Sequence, residues 1–186
     1  PGEGTVACYK CVAWNNVVIS TGDPTQFALG MMGCRDCAAY NNVVLNGGLT
    51  IMEDSTNAIF KNNILSCGGG PATAPSWAWA GSGVRVVDYN NFYNCSGAPV
   101  QTHAISGDPK LLNMGSSQPD VHLQAGSAAI GTGTVVSFTG FLGENIPMTV
   151  DAAGVTRTVP WSLGIYAGAG TTADTPPSAP SGLIVQ

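Results

Sequence analysis

Charge is scarce in this chain. Six Lys and Arg and 11 Asp and Glu make up 9% of 186 residues, with a net charge of −5, against roughly 25% charged residues in ordinary soluble proteins. Six scattered cations cannot form the basic footprint that nucleic acid requires, because binding there is driven by counterion release from clustered Lys and Arg. No run of about 18 apolar residues occurs, so no membrane span is expected. Long amphipathic helices are also missing. No window keeps apolar residues at i, i+3, i+4 and i+7 for three turns, and Gly or Asn interrupts most candidates. Histidine occurs only twice, at His103 and His122. There is no initiating Met and no signal-peptide pattern, and the chain is expected to be processed or to be a piece of something larger.

What is present is a repeat. Asn-Asn followed by apolar residues occurs at Asn15-Asn16, Asn41-Asn42, Asn62-Asn63 and Asn90-Asn91. The first two lie inside matching phrases, Cys8-x-x-Cys11-x-x-x-Asn15 and Cys34-x-x-Cys37-x-x-x-Asn41, 26 residues apart, and the next spacings are 21 and 28. A period in the twenties with short apolar pieces signals a solenoid, in which one repeat cannot bury its own apolar face but stacked repeats share a core. Short strands are expected at 11–14, 17–20, 43–46, 49–52, 58–61, 64–66, 84–88 and 92–94. Asn tolerates the left-handed backbone region, so the Asn pairs are expected to bend the chain between strands. Their side chains can also hydrogen-bond to one another up the stack. An all-β sandwich would show hairpin signals at 8–12-residue spacing and leaves the 26-residue repeat unexplained.

Three phrases carry a family resemblance: Val-Arg-Val-Val-Asp-Tyr-Asn-Asn-Phe-Tyr-Asn-Cys-Ser-Gly at 84–97, Gly107-Asp108-Pro109-Lys110-Leu111-Leu112, and Asp120-Val-His122-Leu123-Gln124-Ala-Gly126-Ser127 running to Gly133, with Leu163-Gly164-Ile165-Tyr166 later. They resemble the C-terminal part of right-handed parallel β-helix proteins of the pectate-lyase-like superfamily. The resemblance covers residues 5–170 and implies a fold and its closure, not an activity. The expected architecture is all-β: a short right-handed parallel β-helix over 1–133, a β-rich C-terminal cap over 134–170, and a linker with the first strand of a following module over 171–186, whose Pro-Ser-Ala-Pro-Ser-Gly-Leu is similar to the opening of a fibronectin type III module. About four coils at roughly 4.8 Å each give a stack about 20 Å tall. The first coil is expected to offer an open strand edge that invites association, with 182–186 as a strand able to pair on a neighbouring subunit. Residues 134–160 are expected to form a hairpin-like excursion over the C-terminal end, with a tight turn at Asp151-Ala-Ala-Gly154.

The six cysteines fall into three pairs with matched offsets: Cys8 with Cys34, Cys11 with Cys37, and Cys67 with Cys95. Neighbouring strands lie about 4.8 Å apart, which suits a disulfide between coils. A stack of reduced, buried thiols fits as well, and the double Cys-x-x-Cys also has approximate zinc-ribbon spacing.

A polysaccharide lyase would hold Ca²⁺ with acids and use Arg or Lys as a base, and a glycosidase would need two facing carboxylates. The acids are Asp23, Asp36, Glu53, Asp54 and Asp88, and the bases Lys10, Arg35, Lys61 and Arg85. Lys10 and Asp36 occupy equivalent places and are expected to form a surface ion pair. Glu53-Asp54 is either a Ca²⁺ site or a solvated turn, and no other cofactor is implied. No family catalytic motif is present, and no catalytic residue is assigned. Ser127 lies outside Gly-x-Ser-x-Gly, Gly131-Thr-Gly133 is too short for a nucleotide loop, and the resemblance makes His122 structural.

Trp77 and Trp79 alternate and so share a strand face. With Trp14, Tyr40 and Tyr89, each just before an Asn pair, they are a candidate stacking surface for sugar rings, or else a ladder that shields the coil. Alternation from Tyr89 places Asp88 on the inward side, so either Asp88 is buried and hydrogen-bonded or the fourth coil is shifted by one residue. Low charge and the missing catalytic pairs favour a non-catalytic structural or adhesive solenoid of a secreted, cell-surface or virion assembly. Its partners would be neighbouring copies or other modules of the same protein. The competing expectation is a carbohydrate-binding or lyase-like domain acting on polysaccharide.

Overall fold

A left-handed backbone residue recurs at the same bend of each repeat and turns the chain from one short strand into the next. It is Asn15 (φ 55°), Asn41 (φ 55°) and Asn62 (φ 59°) in the first three repeats. The computed structural model describes residues 8–20, 27–52, 55–72, 85–114 and 118–169. No helix occurs among them. The Trp77–Trp79 pair, Asp23, Glu53, Asp54 and residues 171–186 lie outside the described residues.

The strands before the bend are β2 (Val12–Trp14), β6 (Ala38–Tyr40), β9 (Ala58–Lys61) and β11 (Arg85–Asp88). They form one four-stranded parallel sheet. Those after it, β3 (Val17–Ile19), β7 (Val43–Leu45), β10 (Ile64–Ser66) and β12 (Asn91–Tyr93), form a second. Two further parallel pairs complete the repeats: β1 (Cys8–Tyr9) with β5 (Cys34–Arg35), and β4 (Phe27–Met32) with β8 (Gly48–Met52). The fold is therefore all-β with stacked parallel sheets. The middle residues of β3, β6, β7, β10 and β12 point inward, as the period of two requires. Val18, Val44, Leu65 and Phe92 meet Ala39, Phe60 and Val87 in one apolar cluster.

The two residues of each Asn pair have different tasks. The first sits at the bend. The second is a rung of a hydrogen-bonded ladder, in which the Asn42 Oδ1 accepts from Asn16 N and Nδ2, at 3.0 Å each. Asn63 Oδ1 accepts in the same way from Asn42, and Asn90 Oδ1 from Asn63. Gln101 Oε1 ends the series by accepting from Asn90 N and Nδ2.

The fourth repeat is shifted by one residue relative to its Asn pair. Val17 pairs with Val43, Val43 with Ile64, and Ile64 with Asn91. Tyr89 (φ 55°), not Asn90, therefore takes the bend, Asn90 becomes the rung, and Asn91 begins a strand. Asp88 stands opposite Lys61, which resolves the conflict over its orientation in favour of the shift.

The C-terminal part corrects one expectation. Residues 134–165 lie along the side of the stack rather than over its end. The antiparallel hairpin β15 (Ser137–Thr139) and β16 (Asn145–Pro147) belongs to a layer in which Val136, Phe138, Met148 and Trp161 cover Ala38 and Tyr40. Its tip reaches the first repeat, where Lys10 Nζ donates to Gly140 O (2.9 Å) and Tyr9 packs edge-on to Phe141. The pair β13 (Leu111–Asn113) and β14 (Asp120–Leu123) joins Leu163 and Ile165 over Val43, Leu45 and Ile64. Gly164 (φ 77°) makes this close approach possible: a Cβ there would lie 3.0 Å from both Ile64 Cδ1 and Val43 Cγ2. The turn at Asp151 forms as expected, with Gly154 N donating to Asp151 O.

Candidate functional site

Among the described residues, Trp14, Tyr40 and Tyr89 stand in three different surroundings. Trp14 and Tyr40 are ladder partners, yet Trp14 is 42% exposed while Tyr40 is 4% exposed beneath the C-terminal layer. That burial pushes the Tyr40 phenol above its ordinary pKa. Tyr89 leaves their column because of the one-residue shift and stacks on His103 at 4.3 Å.

The cysteines stack as expected, with Cys8 opposite Cys34, but two of the three bonds close differently. Cys8 is bonded to Cys11 and Cys34 to Cys37, each inside its own loop, whereas Cys67 is bonded to Cys95 across repeats. The left-handed Lys10 (φ 51°) and Asp36 (φ 56°) fold each Cys-x-x-Cys back on itself, and this brings the two sulfurs of one loop together. In the third repeat Ser55 and Ala58 hold the same two places, and Ser55 Oγ accepts from Cys34 N. The 21-residue offset from Cys34-x-x-Cys37 to Ser55-x-x-Ala58 was visible in the sequence. The loop entropies differ: a 28-residue closure is worth about 3.5 kcal/mol and a three-residue one about 1.5 kcal/mol in the chain-entropy description. Replacing Cys67 and Cys95 together by Ala is thus expected to lower the urea midpoint more than replacing Cys8 and Cys11. Equal losses would show that loop length does not set the contribution.

Lys10, Asp36, Asp151 and Arg157 are committed to the scaffold. Lys10 and Asp36 form no ion pair. Lys10 reaches Gly140 O, and Asp36 Oδ1 accepts from Asn57 Nδ2 at 2.6 Å, because the third-repeat Asn57 shares their left-handed turn position (φ 54°). Asp151 Oδ1 accepts from Ala153 N and Val155 N, and its Oδ2 from Ala167 N. Arg157 is 4% exposed. It donates to Ser162 O, Gly164 O and Asn15 Oδ1. Burial pushes its pKa down to about 10, against the opposing pull of Asp151.

Two Asp–His pairs remain. His103 Nδ1 lies 2.9 Å from Asp88 Oδ2, and His103 N donates to Asp88 Oδ1. His122 Nδ1 lies 2.6 Å from Asp120 Oδ1, and its ring stacks on Tyr166 at 3.6 Å. The first pins the 96–105 segment to the fourth repeat; the second lies within β14, and the His122 ring stack on Tyr166 joins that strand to the 161–169 segment. Partial burial pushes both carboxyls up, but hydrogen bonds from the histidines outweigh it, and both end below the ordinary Asp value. A depressed carboxyl pKa stabilises the fold above the unfolded value, near pH 3.8, and that contribution is lost as pH falls through the lower folded value. His103→Ala is expected to bring the Asp88 titration, followed by carboxyl-carbon NMR, back up toward its ordinary range. An unmoved titration would contradict the assigned cause.

Three clefts among the described residues bear on a candidate site. One of about 320 Å³ lies between Lys10, Asp36, Asn57 and the β15 residues Ser137–Thr139. One of about 310 Å³ opens beside the four loop cysteines. One of about 380 Å³ is flanked by Arg85, Asp88 and Thr102. The first is lined by one carboxylate, Asp36, the second by none and the third by Asp88 alone. None of the three therefore presents the carboxylate pair of a glycosidase. Gln101, Arg157 and the Asp88–His103 pair carry roles that no sequence motif marked. Neither family models, nor curated proteins, nor solved structures compared with this chain match it.

Proposed function

We propose that this chain is a non-catalytic structural module: a short right-handed parallel β-helix, similar in form to the pectate-lyase-like superfamily, within an extracellular, cell-surface or virion assembly. The observation that carries this reading is the continuous ladder Asn16–Asn42–Asn63–Asn90–Gln101, braced by a disulfide between repeats. It commits the most polar feature of the chain to rigidity. Three disulfides favour an oxidising compartment. The neighbouring copies or modules expected as partners have a surface available in the first repeat, where Tyr9, Trp14, Val17 and Ile19 are 37–44% exposed.

The test is incubation of the chain with a panel of neutral and acidic polysaccharides, with and without Ca²⁺. New reducing ends and unsaturated products are read, and assembly is followed in parallel by light scattering. No turnover, with mass rising as concentration rises, is the expected result. Product release from any polysaccharide would sink the structural reading. Saturable glycan binding without turnover would move the assignment to the carbohydrate-binding alternative.

A further inference from the structure

The two loop disulfides lie against each other. Cys8 and Cys34 are direct ladder partners, the Sγ atoms of Cys8, Cys34 and Cys37 all lie within 4.8 Å of one another, and Cys37 Sγ is 4.0 Å from Cys8 Sγ. Cys11 Sγ lies outside that 4.8 Å grouping but is bonded to Cys8 Sγ, which places the fourth sulfur one bond from it. Four thiolates about 2.3 Å from a tetrahedral Zn²⁺ lie about 3.8 Å apart. The 4.0 Å contact between the loops already has that spacing, and within each loop the Cα atoms are 6.2 and 6.1 Å apart.

Two further observations concern room and position. The cavity of about 310 Å³ is lined by all four of these cysteines together with apolar residues such as Leu29, Met31 and Phe60, so the sulfurs can separate around an ion in surroundings poor in competing ligands. Moreover, the turn does not itself demand cysteine, since Ser55 and Ala58 fill the same two places in the third repeat. Cysteine occupies them only in the two adjacent repeats whose sulfurs meet.

We propose that Cys8, Cys11, Cys34 and Cys37 are, in their reduced form, a tetrathiolate site for one Zn²⁺, and that the two disulfides are its oxidised form. The site is independent of the structural role proposed above. Reduction by a phosphine converts each disulfide, with one water, into two thiols and one phosphine oxide. Zn²⁺ then displaces four thiol protons.

The experiment titrates the phosphine-reduced full chain with Co²⁺, reading thiolate-to-metal charge-transfer and tetrahedral ligand-field bands, with far-UV circular dichroism recorded on the same samples. One Co²⁺ per chain, displaced by Zn²⁺, on a chain that keeps its strand signal is the expected result. The oxidised chain should give no such bands. Cys8→Ser and Cys37→Ser should each weaken binding at least about tenfold, while a variant with Cys67→Ser and Cys95→Ser should bind as the parent does. Missing bands, bands unchanged in Cys37→Ser, bands lost with Cys67 and Cys95, or uptake only by a chain without strand signal would each overturn the proposal.

Discussion

Asn63→Ala is expected to lower the unfolding free energy by about 4–6 kcal/mol, since a buried polar group left unpaired costs about 1–3 kcal/mol. Asn63 is fully buried. Its Oδ1 accepts from Asn42 N and Nδ2, and its Nδ2 donates to Ala39 O and Asn90 Oδ1. Truncation removes all four bonds at once; Asn42 Nδ2 keeps Ala13 O and Asn90 Oδ1 keeps Asn63 N, whereas Asn42 N and Ala39 O lose the Asn63 side chain where no solvent reaches them. A domain of this size holds only about 5–15 kcal/mol in total, so the variant is expected to sit near the threshold of folding. The control is Asn16→Ala at the exposed end of the same ladder. Asn16 Nδ2 donates to Trp14 O and Asn42 Oδ1, and water can replace it there, so a loss of about 1 kcal/mol is expected. Urea unfolding of both variants decides the matter. Equal losses would mean that burial of the ladder is not what makes it stabilising.

Arg157→Met is expected to cost about 3–5 kcal/mol, the range for breaking a buried charged network by removing one partner. Its guanidinium satisfies two buried carbonyls, Ser162 O and Gly164 O, and ties them to Asn15 in the first repeat. It also faces Asp151, whose carboxylate organises the adjacent turn. Met roughly fills the volume but donates nothing. Arg157→Lys is not expected to rescue the loss, because a single ammonium cannot reproduce the planar fork. Hydrogen exchange should rise first in residues 134–165 and only later in β7 and β10, and Trp161 emission should shift as Tyr40 and Trp161 lose their cover. Uniform loss of protection across both layers would show that Arg157 is no latch.

The acid response belongs to different groups. Asp88 and Asp120 are the carboxyls held below their ordinary range by histidine hydrogen bonds, so the 96–105 segment and the β14 region are expected to loosen at low pH before the parallel ladders do.

Much of this scaffold was legible from the chain alone. The pairing of the first three repeats follows the spacings of 26 and 21 because bend and alternation are local properties: a left-handed Asn, then a side chain in, then one out. The ladder was legible for the same reason, since equivalent Asn residues in stacked repeats must lie one strand spacing apart. The fourth repeat was not. Its register is set by packing, here Phe92 against the apolar cluster and Asn90 in the ladder, rather than by the spacing of its Asn pair. Val43-Val44-Leu45 did carry an unread signal. An uninterrupted apolar strand marks burial on both faces, and both faces are buried here.

What the sequence by itself determined is the repeat: short strands, bends, a shared apolar interior, and six cysteines in matched positions. What only the tertiary structure decided is who touches whom across long separations. It sent each Cys-x-x-Cys to close on itself while Cys67 found Cys95, and it laid residues 134–165 over Tyr40 along the side of the stack. It also turned Arg157 into the link between the first repeat and the last described segment. Repeats are written in local backbone preference and two-residue alternation, whereas disulfide choice and the covering of an outer face depend on distances that exist only once the chain has folded.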